Sequence, residues 1–271
     1  MKVLIFGDIY GRIGRNAFKK HFSELKEKYS PDFVIVNPEN ISSGRGPIEK
    51  HMKELDALGG IDVYTSGNHI FDNYDDIKNY LDKPGSKLIR PANFYENEHI
   101  YFPGKGYKII EKNGKKLLVI NLMSSVFMRD EVYNPFLKID EMLKEIPMDD
   151  INAVIIDFHR ETTSEIYAMG MFLDGKISFL FGTHTHIQTN DELVLPGGTG
   201  ILTDVGMSGP LYSIIGAEFE GIKSRFLGGM LKGKIDQSLD PHYVVSACIV
   251  EIDDQTKKCL SIEKIRIKGK L

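Results

Sequence analysis

At 271 residues the chain can bury a large core, and a formal charge of −4, from 34 Lys and Arg against 38 Asp and Glu, excludes the broad cationic field that grips nucleic acid. No apolar stretch approaches the roughly 18 residues of a membrane span, and the N-terminal apolar run is too short for a signal peptide. The two cysteines, Cys248 and Cys259, lack metal-site or redox spacing and read as reduced, buried thiols. The expectation is one soluble, cytoplasmic domain over residues 1–271.

In chain order, a short apolar run at 3–6 ends on Gly7-Asp8 and is followed by a helical pattern at 16–29. Runs at 33–36 and 63–65 flank a second helical pattern at 48–58, which predicts βαβ units over the first half. Further unbroken runs at 117–121, 153–156, 177–181 and 201–203 have the length and β-branched or aromatic content of strands covered on both faces. Beyond Asn190 the texture changes: a Pro196-Gly-Gly turn, a Gly/Ser-rich stretch at 206–216, and long strand patterns at 242–252 and 260–267 joined by a polar turn suited to a hairpin. The fold class is α/β with an antiparallel C-terminal portion, and 97–106 and 208–216 are expected as loops over a site.

Polar residues collect just past the predicted strand ends. Asp8 follows the first run, Glu39-Asn40 the second, Asn68-His69 the third, His159 the run at 153–156, and His184 and His186 the run at 177–181. In an α/β sheet such ends converge on one crevice. Two carboxylates, two amides and imidazoles without thiolate suit iron, manganese or zinc, and are too nitrogen-rich for calcium. Each motif has a plainer reading: Gly7-Asp8 as turn chemistry, Glu39-Asn40 as a cap, Asn68-His69 as a cap with a packed histidine. None of these explains the common placement. His21, His51, His99 and His242 read as surface or packing residues. Gly11 and Gly14 do not have phosphate-loop spacing, and Arg12 or Arg15 is available to meet phosphate.

Seven segments carry a resemblance: Gly7-Asp-Ile-Tyr-Gly11, Asn37-Pro-Glu-Asn40, Gly67-Asn-His-Ile-Phe-Asp72, Arg90-Pro-Ala-Asn-Phe94, Phe158-His-Arg-Glu-Thr-Thr-Ser-Glu165, Gly182-Thr-His-Thr-His-Ile-Gln-Thr189 and Thr203-Asp-Val-Gly-Met207. Together with Ile252-Asp-Asp-Gln-Thr-Lys-Lys258, they resemble the calcineurin-like metallophosphoesterase superfamily, and within it the YmdB-type bacterial phosphodiesterases. The resemblance implies a four-layer α/β/β/α sandwich of two mixed β-sheets flanked by helices. It also implies two transition-metal ions: Asp8, Asn40 and His186 on one, Asn68, His159 and His184 on the other, and Glu39 between them. Tyr10 stands where the superfamily has a second histidine, and Asn40 substitutes as an oxygen donor. Fewer imidazoles on that ion favour iron or manganese over zinc.

Two further departures are Phe71 in place of Trp and Arg160 in place of a small residue, the latter a cation expected beside the site. The implied reaction is phosphodiester hydrolysis by a hydroxide held between the metals, with His69 as proton donor and Asp72 orienting its ring. The implied substrates are phosphodiesters such as the cyclic nucleotide 2′,3′-cAMP. An RNA-processing protein partner and a homo-oligomer are compatible with the resemblance, and no membrane partner is expected from a chain without a long apolar stretch. A phosphomonoesterase, or a regulatory nucleotide- or RNA-machinery-binding protein with little turnover, would present the same residues.

Overall fold

The computed structural model describes residues 1–97, 99–128, 130–228 and 235–271. In chain order the elements are β1 (Lys2–Ile9), α1 (Gly11–Tyr29), β2 (Phe33–Asn37), α2 (Glu49–Asp56), β3 (Val63–Tyr64), α3 (Tyr74–Asp82), β4 (Tyr107–Lys112), β5 (Lys115–Met123), α4 (Pro135–Glu145), β6 (Ala153–His159), α5 (Thr163–Phe172), β7 (Phe179–Thr183), β8 (Leu193–Val194), β9 (Gly200–Leu202), β10 (Met207–Pro210), α6 (Phe219–Phe226), β11 (His242–Ile252) and β12 (Cys259–Lys270). The strands form two six-stranded mixed sheets, ordered β12-β11-β10-β1-β2-β3 and β4-β5-β6-β7-β9-β8.

Side-chain alternation along the buried strands builds the layers. Val3 and Ile5 of β1 join Phe33, Ile35, Leu117, Val119, Ile155, Phe179 and Phe181 in the core between the sheets. Leu4 and Phe6, on the opposite face, join Phe18 and Phe22 of α1, Met52 of α2 and Tyr80 of α3. On the other sheet Val154, Ile156 and Phe158 pack against Ile139 of α4 and Ile166 of α5. Helices, sheet, sheet and helices therefore stack as four layers, the arrangement implied by the resemblance. Runs that look uniformly apolar in sequence are two-faced, each face serving a different core. Asn134 caps α4 by accepting from the Phe136 and Leu137 amides, with Pro135 in its first turn.

The first three strands run parallel, as the βαβ pattern predicts, and β11–β12 is an antiparallel hairpin. One feature of the sheet has no counterpart in the sequence reading. Residues 2–6 of β1 pair antiparallel with β11, but Asp8 and Ile9 pair parallel with Met207 and Ser208 of β10. Register against β2 shifts between Phe6 and Asp8, so the strand changes neighbours and re-aims at the acid. Cys248 and Cys259 are buried free thiols, and burial pushes the Cys259 thiol up to about 12. Among the described residues no helix is long and apolar enough to cross a membrane.

Candidate metal centre

Asp8 sits near the end of β1, Glu39 and Asn40 just past β2, Asn68 and His69 in the turn after β3, His159 at the last position of β6, and His184 and His186 just past β7. Two clusters of contacts result. In one, His186 Nε2 lies 3.0 Å from Asn40 Oδ1 and 3.9 Å from Asp8 Oδ1. In the other, His159 Nε2 lies 2.9 Å from Asn68 Oδ1, and the His159 and His184 rings meet edge to face at 4.7 Å. Glu39 Oε2 lies 3.1 Å from His159 Nδ1, an ion-pair distance without hydrogen-bond geometry, while Glu39 Oε1 accepts from the His69 amide at 3.0 Å. One donor atom each from Asp8, Glu39 and His159 lie within 4.8 Å of one another.

Proton positions follow from the partners. His186 Nδ1 is 2.7 Å from the Ile215 carbonyl, which can only accept, so Nδ1 carries the hydrogen. Burial holds this imidazole at about 4 and His184 at about 3, so both rings are neutral. Nε2 of His186 then points a bare lone pair at the Asn40 carbonyl oxygen, a contact between two acceptors. Thr183 Oγ1 donates to Asp157 Oδ1 at 2.7 Å, so it accepts from His159 Nδ1 at 3.0 Å, which turns Nε2 toward Asn68 Oδ1. Asp8 Oδ1 and Glu39 Oε2 are buried without a hydrogen-bond partner among the described residues. Facing acceptors and orphaned buried carboxylate oxygens are what a cation resolves. The residues fit divalent metal ions.

The acids are also crowded. Burial first, then Asp204, Glu39 and Asp157, raise the Asp8 carboxyl well above its ordinary value. Burial likewise raises Asp204, and brings Asp157 to about 7 against the pull of its hydrogen bonds and His159. For Glu39, burial is outweighed by the charge that His159, His69 and His184 carry once protonated in acid, and its carboxyl falls to about 2.

Supporting residues absent from the sequence reading hold this geometry. Asp157 links the clusters: it accepts from Thr183 and from Asn37 Nδ2 at 3.1 Å, and Asn37 Oδ1 accepts from the Glu39 amide at 2.9 Å. Asp204 accepts from the Thr185 amide and hydroxyl and from the Gly206 amide, fastening the His-Thr-His turn. That turn bears strain, with His184 at φ 99° and His186 at φ 65°. Glu161 Oε2 lies 3.1 Å from His184 Nε2. Each acid had a visible signal: Asp157 interrupts an apolar strand, and Asp204 and Glu161 fall inside resembling segments.

Gly67 is required by the close approach of Glu39 and His159, because a Cβ there would stand 2.0 Å from Glu39 Oε2 and 2.3 Å from the His159 ring. Tyr10 packs its ring edge-on to His186 at 5.5 Å. Phe71 stacks on Phe102 at 5.1 Å, inside an aromatic cluster with Phe94. Arg160 differs from its expectation. Only 1% exposed, it donates to the Thr203 and Glu161 carbonyls and approaches Asp204 Oδ2 at 3.5 Å, so it is an internal counter-charge to the acids and does not face a substrate. Arg15 is likewise committed, to the Ile41 carbonyl and the Glu54 carboxylate.

The centre opens into a cleft of about 380 Å³, lined by His69, His184 and His186 on one side and by Ile214, Ile215 and α6 on the other. The 208–216 segment thus reaches the cleft. The 97–106 segment, of which residue 98 lies outside the described residues, contributes Tyr101 and Gly104 to a different cleft. His21 bonds the Tyr243 hydroxyl, His51 the Ser42 hydroxyl and His242 the Asp240 carboxylate, all away from the centre.

Two mixed sheets in a four-layer sandwich, with a buried Asp/Glu/His cluster at converging strand ends, define a hydrolase of the metallophosphoesterase class. The chain belongs to the YmdB-like protein family, whose pattern it matches over residues 4–265. It is 41% identical over 279 residues to the 2′,3′-cyclic-nucleotide 2′-phosphodiesterase of Bacillus subtilis (strain 168), covering 98% of this chain and 97% of that protein. A novel phosphatase of Mycoplasma pneumoniae superposes with a TM-score of 0.91 at 35% identity, covering 100% of this chain and 94% of the other. A hypothetical protein from Thermus thermophilus superposes with a TM-score of 0.89 at 31% identity, covering 99% of both chains.

Proposed function

We propose that the protein is a binuclear metal-dependent phosphodiesterase acting on cyclic nucleotides such as 2′,3′-cAMP. The observation that carries this reading is the bare His186 Nε2, which faces the Asn40 amide oxygen with Asp8 Oδ1 at 3.9 Å, next to the buried cluster of Asp8, Glu39 and His159. Asp8, Asn40 and His186 would hold one ion, Asn68, His159 and His184 the other, with Glu39 shared. The oxygen-rich first set favours iron or manganese. When bound, two such ions supply Lewis acidity, neutralising phosphoryl charge and lowering the pKa of water.

The chain's own contribution to the chemistry is orientation and proton transfer. His69 lines the cleft, and its Nδ1 is 2.8 Å from Asp72 Oδ2, which fixes the ring. The Glu39 carboxylate anchors the His69 backbone, tying the proton donor to the metal set. Nε2 is then the atom that delivers a proton to the departing alkoxide. Glu161 Oε2, 3.1 Å from His184 Nε2, would orient that ring as a ligand, with Nδ1 the nitrogen left to hold an ion. Glu161→Gln should therefore raise the metal dissociation constant about 10- to 100-fold in a chelator-competition titration. An unchanged constant would remove Glu161 from this role.

The substrate class is supported by the relative from Bacillus subtilis, which bears the name of a cyclic-nucleotide phosphodiesterase. The test is turnover of 2′,3′-cAMP, bis-nitrophenyl phosphate and nitrophenyl phosphate by protein loaded with manganese or iron. Diesters should be the better substrates. Preference for the monoester would make the protein a phosphatase, and metal-dependent nucleotide binding without turnover would make it a regulatory module.

A further inference from the structure

The far wall of the cleft is made by α6, whose residues Ile222, Arg225 and Phe226 fall at i, i+3 and i+4 and so share one face of the helix. No residue of α6 is buried, and Phe226 is 73% exposed although it lines the cleft. Among the described residues, no carboxylate or carbonyl bonds the Arg225 guanidinium. An exposed aromatic ring and an uncommitted cation, facing a metal-type centre across a cleft of about 380 Å³, make a recognition surface. Ile215 joins the two walls, since its carbonyl holds His186 and its side chain, 47% exposed, lies in the same cleft.

Resting on the phosphodiesterase reading, we propose that Phe226 and Arg225 determine specificity for a nucleoside-bearing substrate: Phe226 stacks on the base and Arg225 offers its charge to the anionic phosphodiester. The chemistry is complementary. A phosphoryl group at the metal centre leaves the nucleoside to extend toward α6, where a base offers a π face whatever its identity, so stacking favours nucleotides without requiring one base. A guanidinium beside the ring suits a phosphate oxygen through paired N–H donors.

The experiment compares 2′,3′-cAMP with glycerol 1,2-cyclic phosphate, which presents the same five-membered cyclic diester without base or ribose. In Phe226→Ala the ratio of kcat/KM for 2′,3′-cAMP to that for the glycerol ester should fall about tenfold or more, through KM, and Phe226→Trp should restore it. Arg225→Ala should instead lower kcat/KM on both substrates together. Phe226 is exposed, so loss of fold is not expected, and unchanged metal content would verify it. A ratio unaffected by Phe226→Ala, in a wild type that cleaves both esters, overturns this proposal and leaves the diesterase reading standing. A wild type that cleaves neither overturns both.

Discussion

Replacing His69 by alanine is expected to lower turnover of 2′,3′-cAMP by about 10²- to 10⁴-fold, the range over which general acids act, while costing far less on bis-nitrophenyl phosphate. The difference arises in the leaving group. A ribose alkoxide is a strong base and departs only if a proton reaches it, whereas nitrophenolate is a stabilised anion that leaves unaided. The contacts of His69 suit the proposed first task, with Nδ1 2.8 Å from Asp72 Oδ2 and the ring at the cleft wall. Metal content should be kept, because the candidate ligand in this turn is the neighbouring Asn68. Asp72→Asn should reproduce the selective loss in weaker form, since the ring remains but loses the carboxylate that orients it. Equal losses on both esters would show that His69 positions substrate or metal and donates no proton.

The turn that carries His69 also shows how far the sequence could be read. The placement of Asp8, Glu39, Asn68, His159, His184 and His186 past short apolar runs was legible, because a buried strand has a recognisable length and composition and its end is where the chain must turn polar. The parallel order of β1, β2 and β3 followed from the intervening helical patterns. What stayed hidden depends on contacts between distant segments. β10 has four residues, Met-Ser-Gly-Pro, too few and too turn-like to read as a strand, yet it pairs with Asp8 and Ile9 where β11 does not reach. β8 has two residues and no period at all. Division into two sheets came from the resemblance alone, since apolar runs with two buried faces look the same in one sheet or two.

Arg160 shows the reverse case. Its position next to His159 suggests a cation at the substrate, but β6 sends alternate side chains to opposite sides, and the residue just past His159 turns inward to Asp204. Asp157 and Asp204 were overlooked for a related reason: an isolated acid in an apolar segment has meaning only once its partners, Thr183 with Asn37 and Thr185 with Arg160, are in place.

Those buried acids set the second large effect, which is on stability. Asp8, Glu39, Asp157 and Asp204 are fully buried, and the Asp8, Asp157 and Asp204 carboxyls are raised, with burial the leading cause. A divalent ion that binds the folded chain and not the unfolded one stabilises it by about 4 kcal/mol per site at a free concentration a thousand times its dissociation constant. At about 2–4 °C per kcal/mol for a chain of a few hundred residues, stripped protein titrated with manganese or iron should gain about 10 °C in Tm from one site, and more if both fill. Glu39→Gln removes the charge that the proposal shares between the two sets, and each tenfold loss of affinity should take about 1.4 kcal/mol from that gain. Calorimetry of stripped, reloaded and variant protein measures both. The two-site reading also requires the reloaded protein to bind two ions, and a Tm indifferent to transition metals would mean that the facing acceptors at His186–Asn40 and the unpartnered Asp8 and Glu39 oxygens are relieved by something other than metal.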